Sequence, residues 1–200
     1  MAVNIGDKPL ADFADPLGLM VDCHRRIERF LLALQQLARS GELDDAGFAA
    51  LGTALDYFVR ASPRHNEDEE YSLFPALLAT GVAAGNAEAA MALARIDQLK
   101  NDHKVAEDLH HQLDELGRAW LVARAISPPD LLNFQKLADR LASIYAPHIA
   151  MEERDVFPVA ARVLAPQTLA SIGEQMRARR AADPGREGSR CAVRRWEAMR

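Results

Sequence analysis

An eleven-residue pattern occurs twice in this 200-residue chain, and no other feature restricts the fold so strongly. The segment from His65 to Pro75 aligns without a gap on that from His148 to Pro158. Both copies read His, then Glu at +4 and +5, then Phe-Pro at +9 and +10. Residues four apart on an α-helix differ by about 40° in direction and about 6 Å in rise, so such a pair projects side by side from one face. His65 therefore stands beside Glu69, and His148 beside Glu152. Each copy follows a further histidine set in an apolar stripe: His24 lies 41 residues before His65, and His103 lies 45 residues before His148. The chain reads as two helical hairpins of one plan.

Apolar residues recur at helical spacing through four long segments, and the breaks between them carry helix-stop and helix-start chemistry. Asp15-Pro16 opens the first helix and Ser40-Gly41 closes it, with Met20, His24, Ile27, Leu31 and Leu34 along its stripe. The second starts at Asp44 or Asp45, carries Leu51, Leu55, Phe58, Ser62, His65, Glu69 and Ala76, and is expected to stop before Thr80-Gly81. Asn86 is the expected cap of the third, whose stripe runs through Ile96, Leu99, His103, Ala106, His110, Leu113 and Trp120. Ser127-Pro128-Pro129-Asp130 opens the fourth, with Phe134, Leu141, Ile144, His148, Glu152 and Val159, and a shorter fifth helix is expected from Gln167 to Arg179. With 36 alanines against 11 glycines, the composition agrees with an all-α fold. The expected architecture is a four-helix bundle domain over 1–180 with a short fifth helix, followed by a basic C-terminal tail over 181–200.

The net charge of −5 divides unevenly: from Arg177 to Arg200 eight arginines face three acids, making that stretch +5 and the remainder −10. The tail reads as a solvated end. Ala192, Val193, Trp196 and Met199 also permit a short helix docking on the bundle or on a protein partner. An acidic body repels phosphate, which argues against nucleic acid as a partner. The first ten residues hold no apolar stretch of signal-peptide length, and no run approaches the ~20 apolar residues that cross a bilayer. No membrane partner and a cytoplasmic, soluble protein are therefore expected; the oligomeric state is not legible.

Two cysteines, Cys23 and Cys191, build neither a disulfide framework nor a cysteine-rich zinc site. Any metal must be held by histidine and carboxylate. His65, Glu69, His148 and Glu152 point where leucines would point, and burying an unpaired carboxylate is costly; a bound cation removes that cost. His24, His65, His103 and His148, one from each long helix, converge with Glu69 and Glu152 at one level of a bundle, where such folds build metal sites. Six ligands exceed a tetrahedral zinc site. Two octahedral ions bridged by the glutamates accommodate them and leave positions for solvent and one small ligand. Imidazole with carboxylate suits iron, with manganese or zinc as substitutes. Glu28 and Glu107, at +4 from His24 and His103, are expected at the stripe edge, orienting imidazoles or facing water. His110 and His111 are expected outside the ligand set, Tyr145 chiefly in the core, Tyr57 less clearly inward. Cys23 is turned about 100° from His24.

The ordered set His24, His65-x3-Glu69, His103, His148-x3-Glu152, with its Glu-Glu and Phe-Pro followers, resembles the hemerythrin-like (HHE cation-binding) family over roughly Pro16 to Leu164. The resemblance implies an up-down-up-down four-helix bundle holding an oxo- or hydroxo-bridged non-haem di-iron centre. In it the four histidines would be terminal ligands and Glu69 and Glu152 the bridges. It also implies a small diatomic ligand or peroxide as partner, for sensing, carriage or detoxification. Alternatives are a di-iron oxidoreductase that decomposes peroxide or NO, and an iron-storage or regulatory protein. Oxygen-carrying members have a second histidine four residues after the third-helix ligand and an aspartate in the fourth helix. Here Glu107 and Glu152 stand at those places, which favours reaction of bound oxygen or peroxide over simple reversible carriage.

Overall fold

The helices end where the chain supplies caps. In the computed structural model, which describes residues 11–84 and 87–182, the Asp15 side chain accepts a hydrogen bond from the Gly18 N–H and Pro16 fills the first helical position of α1 (Pro16–Ser40). Gly41 closes α1 at φ 70°, a left-handed conformation that costs glycine no Cβ clash. Asp44 caps α2 (Asp45–Arg60) on the Gly47 N–H, and α3 (Ser62–Asp68) follows after Ala61 with Pro63 in its first turn. A first π turn (Glu69–Leu73) leads into α4 (Phe74–Ala84), followed by α5 (Ala87–Ala123). Ser127 caps α6 (Pro128–Met151) on the Asp130 N–H. A second π turn (Glu152–Val156), α7 (Phe157–Val163) and α8 (Pro166–Ala181) complete the all-α chain. Asn86 and the tail from Asp183 onward, with its expected docking helix and Cys191, lie outside the described residues.

Both π turns precede a proline, and the proline is the physical reason for them. Its ring crowds the carbonyl four residues back and offers no N–H to it. Ahead of Pro75 and Pro158 the helix widens by one residue: the Phe74 N–H bonds to the Glu69 carbonyl and the Phe157 N–H to the Glu152 carbonyl. The extra residue shifts the buried stripe. Ala76, expected inside, is half-buried, while Leu77 is buried in its place. The expected stop before Thr80-Gly81 also does not occur, since α4 continues to Ala84. A Cβ on Gly81 would meet Leu93 and Ala89 at 3.0–3.1 Å, so this glycine lets two helices approach instead of ending one.

Two apolar clusters fill the bundle. One joins Ile27–Ala38 of α1, Phe48–Phe58 of α2, Ala106–Trp120 of α5 and Phe134–Ile149 of α6. The other joins Leu19 and Met20, Leu73–Leu77, Ala92–Leu99 and Val156–Leu164 with Ile172 and Met176 of α8. Each long segment in turn leads from one cluster to the other, so neighbours in sequence run antiparallel. The polar residues left between the clusters form a single buried layer. Helix α8 packs on α1, α3 and the first π turn, where Arg179 and Arg180 each reach a carboxylate oxygen of buried Asp68 at 2.7 Å. Among the described residues no single helix is long and apolar enough to cross a membrane.

Candidate metal centre

The layer between the clusters contains all six residues singled out by the repeat. His24 comes from α1, His65 from α3, His103 from α5 and His148 from α6, while Glu69 and Glu152 each begin a π turn. All six are buried, none more than 4% exposed. Each glutamate reaches both pairs of histidines. Glu69 Oε1 stands 3.3 Å from His65 Nε2 and 3.9 Å from His24 Nε2, and its Oε2 stands 3.3 Å from His103 Nε2. Glu152 Oε2 lies 3.0 Å from His24 Nε2 and its Oε1 lies 3.2 Å from His148 Nε2. The Nε2 atoms of His103 and His148 face each other at 3.2 Å. The donors form two overlapping groups, His24–His65–Glu69–Glu152 and Glu69–His103–His148–Glu152, each with its ligand atoms within 4.8 Å of one another.

Apart from the His103–His148 contact, which is within hydrogen-bond distance, these approaches leave their atoms unpaired. His24 Nε2, His65 Nε2 and all four carboxylate oxygens are buried without a hydrogen-bond partner. Buried polar atoms in folded proteins are nearly always paired, and leaving several unpaired together is expensive. Six such atoms aimed at shared space instead of at one another are what a cation would satisfy, and imidazole with carboxylate is a donor set that fits divalent or trivalent iron.

The second nitrogens of His24 and His103 are held by carboxylates from the opposite hairpin. His24 Nδ1 pairs with Glu153 Oε1 at 2.9 Å and His103 Nδ1 with Glu70 Oε1 at 2.7 Å. Arg25 also donates to Glu153. Asp102 Oδ2 lies 3.5 Å from His148 Nδ1. The Glu-Glu doublet of the repeat is thus divided, its first residue facing the centre and its second steadying an imidazole across the bundle. Of the two roles expected for Glu28 and Glu107, orienting imidazoles or facing water, the structure shows the second: Glu28 pairs with Arg25 at the surface and Glu107 is exposed.

Further out, Tyr145 is buried with its hydroxyl 3.1 Å from Ser62 Oγ and 3.4 Å from His110 Nε2. His110 is buried between Phe58 and Tyr145, whereas His111 is exposed. Tyr57, whose direction the sequence left open, is buried with its hydroxyl donating to the Cys23 carbonyl at 3.3 Å. Cys23 is buried on α1 and belongs to neither donor group. A cavity of about 170 Å³ bordered by Ser62, Asn66, Glu70, Glu107 and His110 reaches His103 from outside.

The electrostatics follow from burial set against these neighbours. Burial disfavours a charged imidazole, and at His65 it prevails, lowering the pKa to about 4. At His24 burial is outweighed by Glu152, Glu153 and Glu69, which raise the pKa well above the usual value. At His103 burial is outweighed by Glu69 and Glu70, which raise it to about 9. Glu69 resists the upward push of burial through His65, His103 and His24 and stays well below the usual carboxylate range. A cation at the centre competes with protons for these imidazoles.

Comparison with known proteins agrees with this geometry. The family described as Hemerythrin HHE cation binding domain matches residues 15–161. An uncharacterized protein of Haemophilus influenzae is 28% identical over 179 residues, which cover 85% of this chain and 92% of that protein. No solved structure matches the chain.

Proposed function

The chain belongs to the hemerythrin HHE cation-binding family, and from that premise we propose that it is a non-haem di-iron protein that binds or reacts with O2, NO or peroxide. The observation that carries the proposal is the sharing of Glu69 and Glu152 between two histidine pairs. His24 and His65 would hold one ion, His103 and His148 the other, and the two glutamates would bridge. Manganese and zinc accept the same donors. When bound, a pair of irons supplies reversible ligand binding and electron exchange toward small oxidants.

The chain's own residues suit a small ligand. Glu70 and Glu153 fix two imidazoles with Nε2 toward the centre, and Tyr145, held protonated by burial, sets its ring edge-to-face with His148 while its hydroxyl meets Ser62. The apolar clusters on both sides exclude bulk water. The cavity beside His103, about 170 Å³, lies below the ~300 Å³ at which sites for drug-sized molecules begin.

Metal analysis of protein from iron-supplemented cells, with ultraviolet-visible spectra under nitrogen and after air, tests the proposal. About two irons per chain and an air-dependent ferric charge-transfer band are expected, both lost in His148→Ala. One metal or fewer per chain refutes the dinuclear reading. Peroxide consumption by loaded protein favours detoxification; its absence favours sensing or carriage.

A further inference from the structure

We infer that a second ligand site, for a small oxyanion, lies between α1, α3 and α8. A cavity of about 180 Å³ there is lined by four guanidinium-bearing side chains: Arg26 of α1, Arg64 of α3, and Arg177 and Arg180 of α8. No carboxylate lines it among the described residues. Asp68 and Glu174 offset Arg180 and Arg177 from outside the cavity, and an oxyanion within it would be attracted by the positive charge gathered on its wall. Guanidinium groups present planar forks that match the oxygens of phosphate and carboxylate.

The existing contacts of these arginines show which are set and which are available. Arg180 is fixed by Asp68 Oδ2 at 2.7 Å and by the Met176 carbonyl at 2.8 Å, and Arg64 is only 7% exposed. Arg26 directs Nη1 at the Cys23 sulfur, 3.8 Å away, and a thiol sulfur is a weak acceptor. Arg177 lies over the Phe13 ring at 5.2 Å and pairs with Glu174 at 3.6 Å, an exposed ion pair of little strength. An oxyanion is the better partner for Arg26 and Arg177, while Arg64 and Arg180 form a preset wall.

Size narrows the chemistry. At roughly 30 Å³ per water, a space of about 180 Å³ has room for phosphate or a short dicarboxylate. The site is separate from the metal centre, because none of the six donor residues lines this cavity. An anion here would join three helices, and α8 would be the element most firmly drawn in.

Isothermal titration of the full-length, metal-loaded protein at constant ionic strength, with inorganic phosphate in one arm and malonate in the other, tests the inference. Saturable binding of one anion per chain is expected from at least one arm, and the tighter arm names the oxyanion class. Arg26→Gln and Arg177→Gln should each weaken it at least tenfold, with metal content and helical circular dichroism unchanged, and Arg26→Lys should restore part of the loss. No saturable binding in either arm overturns the inference. Binding untouched by both substitutions, or weakened equally by Arg140→Gln on exposed α6 surface, overturns it as well.

Discussion

Replacing Glu70 or Glu153 by glutamine tests whether these residues tune the metal centre. Their carboxylates meet Nδ1 of His103 at 2.7 Å and of His24 at 2.9 Å, and a negative partner there makes Nε2 more basic toward a metal. Glutamine retains an acceptor oxygen and the shape but removes the charge. A hydrogen bond to a charged group contributes about 1.5–3 kcal/mol and a neutral one about 0.5–1.5, so the substitution costs roughly 1–1.5 kcal/mol. That is about tenfold in affinity, at the low end of the range for residues behind metal ligands. The two variants should differ in size. Glu153 also carries Arg25, which already offsets part of its charge, so Glu70→Gln should be the larger loss. They should differ in place too, because Glu70 supports the His103–His148 group and Glu153 the His24–His65 group. Anaerobic Fe(II) titration against a competing chelator resolves two binding steps if the two groups load separately. One weakened step per variant is expected, with Glu28→Gln and Glu107→Gln unchanged. Equal weakening of both steps in both variants, or none with the fold intact, refutes the reasoning.

Two further outcomes concern the scaffold. Burial lowers the His110 pKa from 6.5 to about 3, so the unfolded chain binds one more proton than the folded one between those values. This contribution is fully present above pH 6.5 and is lost as pH falls through the window, by up to about 1.4 kcal/mol per pH unit. Urea unfolding of metal-free protein from pH 7 to pH 4 should show a shallower decline in His110→Phe than in the parent, and parallel curves would sink the assignment. A Cβ on Gly173 would come 2.0 Å from the Phe13 carbonyl oxygen, which is backbone and cannot step aside. Gly173→Ala should therefore loosen α8 despite alanine's better helix propensity, by about 1–3 kcal/mol. Faster amide exchange confined to α8 with unchanged metal content is the expected reading, and equal or slower exchange contradicts it.

Much of this was legible because the decisive signals are local. Asp15-Pro16, Asp44 and Ser127-Pro128 mark helix starts through chemistry contained within four residues, and the His-x3-Glu spacing fixes a helix face from two positions. What escaped the sequence depends on two things that a helical wheel does not hold. The first is the π turn: by adding a residue after Glu69 it advances the next buried position to Leu77, which a uniform period places at Ala76. The second is pairing across the bundle. Glu28 and Glu107 looked suited to steady His24 and His103 because they lie one turn away, yet Glu153 does so for His24 from 129 residues along the chain. The duplicated Glu-Glu was the available signal, since one carboxylate of each doublet already had a role and the other did not. Gly81 misled for a related reason, its small size serving packing against α5.

The cross-bundle placement of Glu70 and Glu153 also bears on what it means for this protein to lose its metal. Neither hairpin owns a complete site: each lends one carboxylate at the centre and one steadying carboxylate to histidines of the other. Separating the halves would strip both donor groups of support in the same motion, so parting of the hairpins and release of a bound cation would become one cooperative event. A cation held there would act as a clasp across a seam, tying the two halves of the chain together.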